Sequence, residues 1–237
     1  MRNIAVVLSG GTGARMGTEL PKQYMELAGK PVLVHTLEQV QRCEALDGIL
    51  VTAGPEWREQ ILQWKEEFAL TKLLTVAPAG DDRQLSIQSG LMAAEPFMDS
   101  GELSGVIIQD AVRPLTSVEL LTRLVIELQE APAVMPVLPI TDTTYTSRDG
   151  QWVSGLLDRS TLFAGQAPEA FLYWPYLSLY RDTPDHVLSS MSGSCQLPYR
   201  EGWKVKMIPG EPENIKVTYS NDLQTCERLL REREKKL

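Results

Sequence analysis

Hydrophobic positions in this chain fall into two alternating patterns. Short, unbroken apolar runs occur at Ile4–Leu8, Ile49–Thr52, Leu73–Val76, Val106–Gln109 and Val134–Val137. Between them lie longer stretches with apolar residues at helical spacing, Val32–Val40, Trp57–Phe68, Leu85–Ala94 and Val118–Gln129. Continuous apolar runs predict strands buried on both faces, and the longer period predicts the helices that bury them. The alternation predicts the α/β class: a Rossmann-like, mainly parallel twisted sheet flanked by helices. In such sheets ligands bind beyond the carboxyl ends of the strands, so the chemistry is expected in the loops that follow them.

The pattern changes after Pro139. Residues 140–171 contain Thr-Asp-Thr-Thr-Tyr-Thr, an Asp149-Gly150 turn and Trp152-Val-Ser-Gly-Leu. They predict a protruding β-arm built on a hairpin. A helix at Tyr173–Tyr180, strands at Val205–Ile208 and Ile215–Thr218, and a final helix at Asn221–Glu234 are expected beyond it. With no repeat or long linker, residues 1–237 read as one domain carrying the arm as an insertion.

Composition narrows the function. The 237 residues include 31 acidic and 23 Lys/Arg side chains, a formal net charge of -8. That balance argues against nucleic acid as a partner, while leaving room for one small cationic pocket. No run approaches the roughly 20 apolar residues that span a bilayer, and the N-terminal apolar run is too short for a signal peptide, so no membrane partner is expected. Three widely spaced cysteines, Cys43, Cys195 and Cys226, match neither a disulfide framework nor a zinc site, and point to a reducing, cytoplasmic setting. Only two histidines occur, His35 and His186, which leaves little basis for histidine chemistry.

The strongest local signal follows the first strand: Leu8-Ser-Gly-Gly-Thr-Gly-Ala-Arg-Met-Gly17. Glycines let backbone amides approach an anion closely, so such a loop can cradle phosphates. It is not the dinucleotide fingerprint, because Met16 stands at the third glycine position, and no Gly-Lys-Ser/Thr closes it as a P-loop. Arg15 inside the loop and Lys22 just after it suit a triphosphate, although each alone also reads as a surface charge. Asp110 ends an apolar strand at the expected ligand edge, where it can orient a ribose, lie near a metal or serve as a turn residue.

Taken in order, several blocks resemble one family. Ser9-Gly-Gly-Thr-Gly-Ala-Arg-Met-Gly17, Pro21-Lys-Gln-Tyr24, Gly29-Lys-Pro-Val-Leu-Val-His-Thr-Leu37, Gly80-Asp-Asp-Arg-Gln-Leu-Ser86 and Gln109-Asp-Ala-Val-Arg-Pro114 are followed by Asp142-Thr143, Asp158-Arg159, Gly165-Gln-Ala-Pro168 and Asn214-Ile-Lys-Val-Thr218. The chain resembles, over nearly its whole length, the cytidylyltransferases that act on polyol phosphates. The resemblance implies transfer of CMP from CTP to 2-C-methyl-D-erythritol 4-phosphate, an isoprenoid precursor, or to ribitol 5-phosphate, with release of pyrophosphate. The alternative it leaves is a CTP-binding relative with a different acceptor or no transferase activity. A phosphate monoester, with a second pKa of about 6, needs no general base, in keeping with the scarcity of histidine.

By the same resemblance, Arg15, Lys22 and Lys216 are the implied catalytic cations. Ser9, Gly10, Gly11, Thr12, Gly13, Gly80, Asp81, Arg83, Ser86 and Asp110 are implied to hold the nucleotide. Arg113, Thr143, Arg159 and Ser192 are implied on the acceptor side, Thr143 and Arg159 reaching across a homodimer. The arm's Trp152, Val153, Leu156, Leu157, Leu162 and Phe163 supply an apolar surface for that association. Mg2+ is the expected cofactor, with Asp110 and Asp222 as candidate ligands. The acceptor half departs from the family pattern: Gln109 replaces a His, Tyr145 a Lys, Ala167 a Thr and Glu169 a Gln, and Ser192-Gly-Ser-Cys-Gln196 lacks the usual aspartates.

Overall fold

The computed structural model describes residues 2–11, 20–101 and 103–235. Strand β1 (Asn3–Leu8) leads, through a short ribbon of β2 (Glu26–Leu27) and β3 (Lys30–Pro31), into α1 (Val32–Arg42). Then β4 (Gly48–Ala53), α2 (Arg58–Glu67), β5 (Leu73–Pro78), α3 (Arg83–Ala94), β6 (Gly105–Asp110), α4 (Val118–Glu127) and β7 (Ala133–Pro139) follow in alternation. Each predicted strand and helix of this half is present, within a few residues of its expected ends. The later half holds β8 (Tyr145–Thr146), β9 (Gly155–Leu156), β10 (Phe163–Gly165), β11 (Glu169–Leu172), α5 (Tyr173–Asp182), α6 (Asp185–Leu188), α7 (Gln196–Arg200), β12 (Val205–Pro209) and α8 (Ser220–Glu234).

The central sheet has eight strands in the order β10-β7-β11-β6-β1-β4-β5, with β12 pairing β7. The contacts of β1 with β4 and β6, of β4 with β5 and of β12 with β7 are parallel, while β10 and β11 run antiparallel to β7. Side chains alternate across the sheet, as the strand period requires. Ala5 and Val7 face Leu33, Leu37, Ile61 and Leu121 on one side. Ile4 and Val6 face Ile87, Leu91, Tyr176 and Tyr180 on the other. Helices α1, α2 and α4 therefore cover one face, and α3 and α5 the other. Among the described residues no helix is long and apolar enough to cross a membrane.

Two expectations need correction. Ile215–Thr218 is not a strand: it is an extended segment whose one backbone bond to the β6 side is Val217 N–H to Val112 O, at 2.9 Å. Its β-branched residues serve burial instead, since Val217 packs with Leu115 and the α8 residue Cys226. The arm is also shorter than residues 140–171. The β8–β9 ribbon lies outside the main sheet, but the chain rejoins that sheet at Phe163, where β10 pairs Pro139, and β11 fills the gap between β6 and β7.

Register positions the functional edge. Leu8 pairs with both Thr52 and Asp110, and Thr52 with Ala77, so β1, β4, β5 and β6 end side by side. The segments that follow them converge on one spot.

Candidate active site

A cleft of about 460 Å³ opens at that edge, lined by Gly10, Gly11, Lys22, Gly80, Asp81, Arg83, Ser86, Asp110 and Lys216 among others. Its floor is two backbone segments in close approach. A Cβ on Gly10 would meet Ala79 Cβ at 2.5 Å, and one on Gly80 would collide with Leu85. Glycine is required at both positions for the loops to close.

The start of the glycine loop is held from behind. Gln23 Nε2 donates to Ser9 O at 2.8 Å and to Gly11 O at 2.7 Å, and Tyr24 Oη donates to Ser9 O at 3.0 Å. Both side chains come from the short turn Lys22–Tyr24, so the residues that clamp the loop also set Lys22 at its mouth. Ser9 is itself buried, with its hydroxyl on Tyr24 Oη, and does not line the cleft. Thr12, Gly13 and Arg15 lie outside the described residues.

On the opposite wall, Asp82 caps α3 by accepting from Gln84 N–H and Leu85 N–H at 2.8 and 3.0 Å. Ser86 Oγ donates to Asp82 O at 2.8 Å and accepts from Gly80 N–H at 3.0 Å. A capped helix start and a pocket wall are thus one feature, and Gly80, Asp81 and Ser86 present backbone and hydroxyl groups suited to reading a base edge.

Asp110 is the electrostatic centre. Lys216 Nζ lies 2.9 Å from its Oδ2, Arg113 Nε 3.5 Å from the same oxygen, and Arg83 Nη2 3.4 Å from Oδ1. Burial alone would favour the neutral acid, but the pull of Lys216, Arg83 and Arg113 prevails and holds the carboxyl well below the usual carboxylate range. Arg113 is buried, donates from Nη1 to Asn214 O at 2.6 Å, and stands behind Asp110 rather than in the cleft lining. Its guanidinium is shared between Asp110 and the Asn214 carbonyl.

Two further residues bind Arg83, and neither was assigned a site role from the sequence. Ser194 Oγ accepts from Arg83 Nη1 at 2.7 Å, and Glu169 Oε2 lies 3.6 Å from Arg83 Nη2. Both are buried. Glu169 replaces a Gln of the family pattern, and that substitution is the one signal that marked it. Ser192, the expected hydroxyl of this region, is exposed and outside the cleft lining, its backbone N–H donating to Gln196 Oε1 at 2.6 Å. Ser194 occupies the inward place instead.

Thr143 and Arg159 are exposed on the arm and line no part of this chain's own cleft. Arg159 Nη1 donates to Thr141 O at 2.7 Å. Asp222 is a helix cap: its Oδ2 accepts from Thr218 N–H and Tyr219 N–H at 2.7 and 2.8 Å. Both Asp110 oxygens are engaged by cations, and among the described residues no group of three His, Cys, Asp or Glu side chains could hold a metal ion.

This geometry has counterparts among known proteins. Residues 3–232 match the sequence profile of the 2-C-methyl-D-erythritol 4-phosphate cytidylyltransferase family, IspD. A ribitol-5-phosphate cytidylyltransferase of Streptococcus agalactiae is 32% identical over 99% of this chain and 97% of its own length. A 2-C-methyl-D-erythritol 4-phosphate cytidylyltransferase of Rubrobacter xylanophilus is 37% identical over 98% of this chain and 96% of its own. The crystal structure of 4-diphosphocytidyl-2C-methyl-D-erythritol synthase from Anaerococcus prevotii superposes with a TM-score of 0.80 at 25% identity, covering 97% of this chain and 96% of that one. With the profile spanning almost the whole chain and its motifs converging on one glycine-floored, cation-walled cleft, the chain belongs to the 2-C-methyl-D-erythritol 4-phosphate cytidylyltransferase family.

Proposed function

We propose that this chain transfers CMP from CTP to the phosphate of a polyol phosphate, either 2-C-methyl-D-erythritol 4-phosphate or ribitol 5-phosphate, releasing pyrophosphate. An acceptor phosphate oxygen attacks the α-phosphorus of CTP. The new P–O bond forms as the bond to the bridging oxygen of the β-phosphate breaks, and the electron pair leaves with pyrophosphate. The nucleophile arrives ionised, so the protein's work is to align two anions and to stabilise charge as it moves between them.

The observation that carries this reading is Lys22 and Lys216 lining the same cleft above the glycine floor. Lys22 sits where it can neutralise the triphosphate. Lys216, held on Asp110, faces the phosphate being joined. Gly80, Asp81 and Ser86 take the cytosine, and Arg15 completes the loop as the resemblance implies. Mg2+ would arrive with CTP and supply charge neutralisation at its phosphates, with Asp110, which lines the cleft, as the carboxylate proposed to lie near it. The relatives named as transferases disfavour the reading of a binding protein without turnover.

A homodimer formed through the arm accounts for Trp152 and Leu156 standing 76% and 67% exposed, and carries Thr143 and Arg159 to the partner's cleft. Three buried, unpaired cysteines suit a reducing cytoplasm.

Pyrophosphate release from CTP is to be measured with Mg2+ and each of the two polyol phosphates, with UTP as the competing nucleotide. Release that requires one acceptor and CTP, and that collapses in Lys22→Ala, is expected. Release without an acceptor, an equal rate with UTP, or an undiminished rate in Lys22→Ala overturns the reading.

A further inference from the structure

Lys216 is positioned without a sheet. The segment carrying it makes no strand ladder, and its tie to the β6 side is the Val217–Val112 backbone bond. An anchor on the other side of Lys216 is therefore needed, and Asn214 has that geometry. It is buried at 1% exposure and joins three parts of the chain. Its Oδ1 accepts from Thr116 Oγ at 3.0 Å, its Nδ2 donates to Ala167 O at 2.8 Å, and its own carbonyl accepts from Arg113 Nη1 at 2.6 Å. Thr116 is in turn held by Gln109 Nε2 at 3.0 Å. Thus Asn214 ties the Lys216 segment to the loop after β6 and to the link between β10 and β11.

We propose that Asn214 is a positioning residue: it clasps residues 214–218 against the sheet edge and so fixes Lys216 on Asp110. The side chain makes no contact with the cleft and acts through Lys216, two residues on. An amide suits the place because it meets an acceptor and a donor at once, and both bonds are buried. The inference rests on the transferase reading for its kinetic consequence, but not for its structural one. A misplacement of about 1 Å in a group that stabilises the reacting phosphate lowers turnover by about 10²-fold.

The test compares Asn214→Ala in the wild-type and Lys216→Ala backgrounds, with amide hydrogen exchange of the Val217 N–H as a second readout. Expected is a kcat lowered by about 10²-fold with a much smaller change in KM for CTP, no further loss on top of Lys216→Ala, and faster exchange at Val217. Unchanged Val217 exchange, or a full additional loss in the Lys216→Ala background, overturns the clasp. If Asn214→Ala does not fold, Thr116→Val and Thr116→Ser decide: the valine variant removes the hydroxyl held by Asn214 and shows the loss, and the serine variant restores activity. Equal effects of the two overturn the proposal. A wild-type chain inert with both polyol phosphates sinks the transferase reading alone, and Val217 exchange still decides the clasp.

Discussion

Lys216 Nζ stands 2.9 Å from Asp110 Oδ2, a surface-reaching cation tied to a nearly buried carboxylate from a distant part of the chain. The lysine is 41% exposed at its side chain and the aspartate 9%. Both line the cleft, the lysine toward solvent and the aspartate as its buried anchor. Asp110 does the same for Arg83, which also lines the cleft, and for Arg113 behind it. The aspartate gathers three cations, of which Lys216 and Arg83 line the cleft.

Replacing Lys216 by alanine is expected to lower kcat by about 10²–10³, the usual cost of removing one preorganised donor from a developing charge. The KM for CTP is expected to change less, since the proposed function assigns the triphosphate to Lys22. Steady-state pyrophosphate release as a function of CTP separates the two parameters. A large rise in KM with kcat intact contradicts a role at the phosphate being joined.

The Asp110 carboxyl titrates well below its ordinary 3.8 because three cations outweigh its burial. The unfolded chain therefore holds more protons than the folded one in acid, and stability rises with pH there. The contribution is fully present above 3.8 and is lost as pH falls through the folded value. Asp110→Asn is expected to cost about 3 kcal/mol near neutral pH, at the low end for a broken buried pair because Lys216 reaches solvent. Urea midpoints of wild type and variant are expected to differ at about pH 7, to begin converging only as pH falls below the ordinary 3.8, and to meet only below the folded-state value. A constant difference across that range rules out the ionised cluster as its source.

Gln23 supports two carbonyls of the glycine loop at once. Gln23→Leu leaves both without that donor, at an expected cost of about 1–3 kcal/mol. Because Gly11 lines the cleft, CTP affinity measured by calorimetry is expected to weaken with the melting temperature. Unaltered CTP binding in a destabilised variant shows that the loop is placed by other means.

The five-strand alternation from β1 to β7 was legible because parallel strands buried on both faces leave continuous apolar runs. β11 was hidden for the opposite reason. It opens on Glu169, whose charge is answered by Arg83 from across the fold, and no local pattern reports that pairing. Ile215–Thr218 read as a strand because Ile, Val and Thr carry the same signature whether they join a ladder or merely bury Val217 under α8. The cleft's glycines and lysines were readable as motifs in order along the chain. The split of roles among neighbours was not: Ser194 turns inward to meet Arg83, 111 residues away, and Arg113 is held by the Asn214 carbonyl, 101 residues away.

The contact between Gly10 and Ala79 offers a compensating pair. Gly10→Ala places a methyl where only 2.5 Å separates it from Ala79 Cβ, and overpacking of this kind typically costs about 1–3 kcal/mol. CTP binding is expected to weaken as the floor parts. Adding Ala79→Gly restores room and is expected to recover most of the affinity. Failure of the second change to rescue the first removes the steric explanation.

The arm supplies the last prediction. Thr143 and Arg159 are not among the residues lining their own cleft, and the proposed homodimer would bring them to the partner's acceptor. Arg159→Ala and Lys22→Ala are each expected to be inactive as homodimers, the first lacking the donor sent to the partner and the second lacking its own cleft cation. Mixed after dissociation and reassembly, half of the sites in the heterodimer receive both intact residues. Activity is then expected to reappear on mixing, and to be absent when Leu156→Asp is added to both chains, because a charge on the exposed apolar ribbon prevents association. Sedimentation follows the association directly. An active monomer, or no recovery from a mixture shown to contain heterodimers, places the acceptor's phosphate on residues of a single chain.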